Sequence, residues 1–132
     1  YTDNYDGVIV EISPDTETFQ PKLDEFEKKL SPKTKAVIVN TPNNPTGVVY
    51  SEETIQKLAA ILEKKQKEFG TEIYLISDEP YRELVYDGVE VPYLTKYYAN
   101  TVVGYSYSKS LSLPGERIGC DRIRQERIIM KR

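Results

Sequence analysis

The run Ala36-Val37-Ile38-Val39 is apolar at four successive positions before Asn40. Side chains alternate between faces along a strand, so a strand apolar at every position has both faces in need of cover. That is the pattern of a parallel sheet inside an α/β fold. Two similar runs follow, Ile73-Tyr74-Leu75-Ile76 and Thr101-Val102-Val103-Gly104-Tyr105. Between the first two, Ile55, Leu58, Ala59 and Leu62 recur at i, i+3, i+4 and i+7, one face of a helix. Ser51 stands where a cap is needed, Glu52 and Glu53 fall in the first turn, Lys64, Lys65 and Lys67 crowd the end, and Gly70 closes it. Strands alternating with helices predict an α/β three-layer sandwich on a mainly parallel sheet, with right-handed crossovers.

The flanking segments extend this pattern. Gly7-Val8-Ile9-Val10-Glu11-Ile12 reads as a strand and Ser13-Pro14-Asp15 as a turn. Pro21 suits the first turn of a helix whose inner face is Leu23, Phe26 and Leu30, stopped at Ser31-Pro32. Tyr81 to Val85 reads as a helical turn, and Ile118-Gly119-Cys120 as the start of a further strand. Cys120 is expected to pack as a small buried apolar residue.

Composition narrows the chemistry. With 132 residues the chain can build one modest core. Eighteen Lys and Arg against 21 Asp and Glu leave a net charge of −3, which offers no electrostatic footprint for nucleic acid. No apolar run is long enough to span a membrane, and the polar opening Tyr1-Thr2-Asp3-Asn4 carries no signal-peptide pattern. A single cysteine cannot form an internal disulfide, which fits a reducing cytoplasm. Histidine is absent, which removes histidine acid–base chemistry and histidine metal ligands.

Ligands of open α/β sheets bind beyond the carboxyl ends of the strands. Asn43-Asn44-Pro45-Thr46-Gly47, Ser77-Asp78-Glu79-Pro80-Tyr81 and Tyr105-Ser106-Tyr107-Ser108-Lys109-Ser110 each follow a predicted strand. A lysine there, among small hydroxyl residues and eight positions before Arg117, can condense with an aldehyde while hydroxyls and guanidinium hold a phosphate. Pyridoxal phosphate carries both groups. Every residue also has a plain alternative. Lys109 could be a solvated surface lysine, Asp78 a helix cap, Tyr81 a packing residue, Asn44 a turn former and Arg117 an exposed ion pair.

Together, in this order, these motifs and Gly115-Glu116-Arg117-Ile118-Gly119 resemble the class I/II aminotransferases, pyridoxal-phosphate enzymes of fold type I, over roughly residues 7 to 120. The resemblance implies pyridoxal 5'-phosphate as cofactor and amino-group transfer between an amino acid and a 2-oxo acid. It implies that Lys109 binds the cofactor aldehyde and then shuttles protons. Asp78 pairs with the pyridine nitrogen, Tyr81 and Asn44 hydrogen-bond the phenolic oxygen, and Ser106, Ser108 and Arg117 hold the phosphate. Of the two serines, Ser106 is at the position the family uses more regularly. A cis bond before Pro45 is also implied. Tyr105 and Tyr107, alternating with the serines, are assigned to packing.

Members of the family are several times longer and form homodimers. Residues 1–120 therefore read as the C-terminal half of a large domain, and 121–132, with Arg122, Arg124, Arg127, Lys131 and Arg132, as an atypical basic tail. The strand at Gly7 normally pairs with one that precedes it in such enzymes, so an unpaired or rearranged edge is expected. Two further readings stand beside the transaminase: a β-lyase of the same fold acting on cystathionine-like thioethers, and a non-catalytic or weakly cofactor-binding module.

Overall fold

The computed structural model describes residues 2–123. A 3₁₀ turn, Thr2–Tyr5, opens it. Then come α1 (Leu23–Lys29), β1 (Ala36–Asn40), α2 (Glu52–Phe69), β2 (Tyr74–Asp78), a 3₁₀ turn at Leu94–Lys96, β3 (Thr101–Ser106), a single helical turn α3 (Tyr107–Ser110) and β4 (Gly119–Ile123). The four strands form one sheet in the order β1-β2-β3-β4. β1, β2 and β3 run parallel, and β4 returns antiparallel to β3.

Local chemistry sets the ends of α2 as expected, whereas Pro21 falls before α1, bridged to Pro14, rather than in its first turn. Ser51 Oγ accepts the Thr54 amide at 3.1 Å, satisfying one of the orphan donors that open α2. Gly70 ends α2 in the left-handed region at φ +65°, where a side chain would be strained. The buried stripe of α2, Ile55, Leu58, Ala59 and Leu62, packs with Phe26 of α1 and with Val39, Ile73, Leu75, Leu94 and Tyr98. Removing each larger apolar side chain from water contributes about 1.5–3 kcal/mol, which makes this cluster the main source of stability. Its single polar tip is satisfied, since the Tyr98 hydroxyl donates to the Ile73 carbonyl at 2.6 Å.

Three further expectations need correction. Gly7–Ile12 forms no strand: Val8, Ile9 and Val10 are exposed, and the segment is held by the Gly7 amide donating to the Thr2 carbonyl at 3.0 Å, by Lys29 Nζ donating to the Glu11 carbonyl at 2.7 Å, and by Ile12 packing against the core. An extended run needs a neighbouring edge to receive its hydrogen bonds, and among the described residues it has none. Among the described residues, the sheet is covered on one face only. Val39, Leu75 and Thr101 point toward α2 and are buried, whereas Ile38, Tyr74 and Ile123 point the other way and are exposed by 65%, 45% and 57%. The described residues therefore supply the sheet and one helical layer of the three-layer architecture. Cys120 is exposed rather than buried, because it stands on the uncovered edge strand β4.

Two smaller points complete the comparison. Residues 81–85 close a tight turn through Arg82 N to Glu79 O and Leu84 N to Tyr81 O, without becoming a helix. Asp121, Arg122 and Ile123 belong to β4, while the rest of the predicted basic tail, 124–132, lies outside the described residues.

Candidate cofactor site

Parallel pairing brings the carboxyl ends of β1, β2 and β3 to one edge of the sheet. Asn40 is level with Asp78, and Asp78 is level with Gly104, two residues before Ser106. The loop after β1 is held by its own side chains. Asn43 Oδ1 accepts from the Thr46 hydroxyl at 2.8 Å, and the Gly47 amide donates to the Asn43 carbonyl at 2.8 Å. Gly47 sits at φ +72°, the left-handed position this turn needs. The Asn44–Pro45 bond is cis, as expected, and so is Thr41–Pro42. The turn-forming role thus falls to Asn43. Asn44 keeps its side chain free of the turn and donates from Nδ2 to the Tyr81 hydroxyl at 3.1 Å.

Tyr81 joins the β1 loop to the lysine. The Lys109 ammonium lies 5.6 Å from the Tyr81 ring centroid, within cation–π range. Lys109 itself is exposed, on the one-turn helix α3. The hydroxyls before it are paired: Ser106 Oγ donates to Ser108 Oγ at 2.7 Å and accepts the Ser108 amide at 3.2 Å. Arg117 is carried to the same corner by the backbone. Ser106 is level with Gly119, and the Tyr107 amide donates to the Ile118 carbonyl at 3.1 Å. Gly119 must be glycine, since a Cβ there would meet the Tyr105 carbonyl oxygen at 2.5 Å. The Arg117 side chain is exposed. Tyr105 bears out its assignment to packing: it meets Tyr107 edge-on at 5.3 Å, and its hydroxyl donates to Glu83 at 2.9 Å.

Asp78 is exposed as a residue, but the strand end partly desolvates its carboxyl. That desolvation is the main reason the group is raised above the ordinary carboxylate value; the Asn40 hydrogen bond opposes it and the Glu79 charge adds to it. Asn40 is a site-forming residue that sequence reasoning missed. Its Nδ2 donates to Asp78 Oδ2 at 3.1 Å and to the Asp78 carbonyl at 3.0 Å, while its Oδ1 accepts the Asn44 amide at 3.1 Å. One side chain therefore fixes the β1 loop against the end of β2. Its only signal was a polar residue closing an apolar run. Glu79 and Arg82 were also missed. They form a pair, 2.6 Å from Arg82 Nε to the buried Glu79 Oε2, behind the turn that carries Asp78 and Tyr81, with Arg82 part-buried.

The arrangement defines a class of protein: a parallel α/β sheet presenting an amine, a carboxylate, amide and phenol donors, and a hydroxyl pair beyond its strand ends. Within that class, the chain belongs to the family of class I and II aminotransferases, whose sequence profile matches residues 3–129. It is 40% identical over 106 residues to an aspartate aminotransferase of Thermotoga maritima, covering 79% of this chain and 26% of that protein. It is 34% identical over 114 residues to an aspartate/prephenate aminotransferase of Thermus thermophilus, covering 86% and 28%. The crystal structure of an aminotransferase from Eubacterium rectale superposes with a TM-score of 0.88 at 59% identity, over 90% of this chain and 30% of that one. The chain thus spans between a quarter and a third of the length of these relatives. Among the described residues, no helix is long and apolar enough to cross a membrane.

Proposed function

We propose that this chain is the cofactor-holding part of a pyridoxal-phosphate-dependent transaminase, one that moves an amino group between an amino acid and a 2-oxo acid in the cytoplasm. The observation that carries the reading is the convergence of Asn44, Tyr81 and Lys109 from three separate strand ends. Class I/II aminotransferases are generally pyridoxal-phosphate-dependent, and the donor set here fits that group. Asn44 Nδ2 and the Tyr81 hydroxyl stand 3.1 Å apart, so one acceptor oxygen can take a hydrogen bond from each. Asp78 offers a carboxylate for a ring-nitrogen cation, which would also offset the desolvation that raises its pKa. Ser106, Ser108 and Arg117 are the donors for a phosphate dianion.

When bound, the cofactor supplies an electrophilic carbonyl and an electron sink. The chain's residues do the remaining work. Lys109 Nζ would engage that carbonyl and, as a free amine, would hold and move the proton at the substrate's α-carbon. Asp78 keeps the ring nitrogen protonated. Tyr81 and Asn44 stabilise negative charge on the phenolic oxygen.

Lys109, Asp78 and Asn44 are all exposed, which favours weak binding by the isolated 132 residues and full activity only in a longer, dimeric enzyme. The same residues would serve a β-lyase. A substrate screen on a longer chain separates the two readings: a lyase releases a thiol and ammonia, whereas a transaminase forms a new amino acid from an added 2-oxo acid. An absorbance titration of the present chain with pyridoxal phosphate tests the reading. Saturable binding that is lost in Lys109→Ala, weakened in Asn44→Ala and reversed by added amino acid is the expected result. Non-saturable binding unaffected by Lys109→Ala contradicts it.

A further inference from the structure

Behind the turn that carries Asp78 and Tyr81 lies a buried charged network with no role in the chemistry above. Glu79 is 1% exposed. Its Oε1 accepts from the Ser77 hydroxyl at 2.7 Å and its Oε2 from Arg82 Nε at 2.6 Å. The remaining Arg82 nitrogens donate to the Val91 and Pro92 carbonyls at 2.8 and 3.0 Å, and the guanidinium lies 3.9 Å from the Tyr93 ring centroid. The backbone is fastened at the same place, with the Glu79 amide donating to the Gly104 carbonyl at 2.9 Å. A carboxylate this deep is costly unless paired, and a guanidinium with three fixed acceptors and a stacked ring leaves the pair little freedom.

We propose that Glu79 and Arg82 are positioning residues: the pair clamps the turn from behind so that Asp78 and Tyr81 face the site together, and Arg82 cancels the charge that Glu79 would otherwise set beside Asp78. This rests on the reading of Asp78 and Tyr81 as cofactor ligands. The electrostatic half follows from adjacency, because a carboxylate next to Asp78 disfavours its ionised form and so weakens its hold on a ring-nitrogen cation. Asp121 is level with Asp78 across Gly104, and Lys109 lies against the ring of Tyr81 on the same turn. Around the pair itself, Glu83, Arg122 and Cys120 line the same shallow cleft, and Lys96 lies 5.8 Å from the Tyr93 ring.

The test is the titration midpoint of the Asp78 carboxyl in the full chain without cofactor. It is followed by carbon-13 NMR of labelled aspartate and assigned by loss of the signal in Asp78→Asn. Glu79→Gln should lower the midpoint and Arg82→Met should raise it. Arg82→Lys, which keeps the charge, should leave it near the parent, and Glu79→Gln combined with Arg82→Met should bring it back to near the parent. Arg82→Met should also weaken pyridoxal phosphate binding roughly tenfold, or 1.4 kcal/mol. A purely structural role predicts that Arg82→Lys and Arg82→Met behave alike, with no return in the double variant. Should Arg82→Met fail to fold, Glu79→Gln still decides: an unmoved midpoint overturns the proposal. The cofactor reading fails separately, if the parent chain binds no pyridoxal phosphate at Lys109 while the midpoints move as described.

Discussion

The two faces of the sheet come from the same strands yet meet opposite fates. On one, Val39, Leu75 and Thr101 are sealed by α2, α1 and the 3₁₀ turn at Leu94–Lys96; on the other, Ile38, Tyr74 and Ile123 stand open. Residue-by-residue alternation decides which side chains share a face, but whether that face is buried depends on what packs over it. The relatives are about three times as long as this chain, and Gly7–Ile12 pairs with no strand among the described residues. Both fit a piece whose second layer is supplied by more polypeptide. The candidate site lies along the strand ends between these two environments, which explains why its hydrogen bonds are formed while Lys109 and Asp78 remain open.

Mutations can break this contrast or sharpen it. Leu75→Ala empties a fully buried position on the covered face and should cost about 2–5 kcal/mol in chemical unfolding. A loss under about 0.5 kcal/mol would mean that α2 does not seal the sheet. Gly119→Ala forces a methyl against the Tyr105 carbonyl, so it should cost about 1–3 kcal/mol and move Arg117 away from Ser106. A parallel loss of pyridoxal phosphate binding would tie β4 to the site. Ser51→Ala removes the α2 cap and should cost about 1 kcal/mol, leaving the site unchanged.

Asp78→Asn is expected to act in opposite directions on stability and binding. The folded-state pKa is raised, so the proton is held more tightly in the folded chain than in the unfolded one. The contribution of Asp78 is therefore present below the ordinary carboxylate value and lost as pH rises through the raised one. Asp78→Asn should melt slightly higher than the parent at neutral pH, converge with it in acid, and bind pyridoxal phosphate more weakly. A lower melting temperature at pH 7 would contradict the desolvation account. Smallest of all, Ile38→Ser on the open face should change stability by less than about 0.5 kcal/mol, and a larger loss would show that face to be covered in solution.

Much of this was legible in the chain itself. The parallel sheet, the bounds of α2 and the order of the site motifs follow from apolar runs, caps and a terminal glycine, which act through nearest neighbours. That Asn44, Tyr81 and Lys109 share one edge of the sheet was legible from their places after strand ends, but their partners were implied only by the resemblance, since no local rule joins residues 37 and 28 positions apart. Asn40 and the Glu79–Arg82 pair were not legible. Their roles depend on register between strands and on burial, and neither is encoded in the spacing of charges. The strand expected at Gly7–Ile12 failed for the converse reason: its local pattern is that of a strand, but a strand exists only when another edge receives it.

The central claim is that the fold, rather than the mere presence of lysines, makes the site. Its most direct test is to treat the chain with pyridoxal phosphate and borohydride, once folded and once in urea, and to map the fixed pyridoxyl groups by mass spectrometry. The account predicts that Lys109 dominates the labelling in the folded chain and loses that preference when unfolded. Labelling spread evenly over the lysines in both states would contradict it.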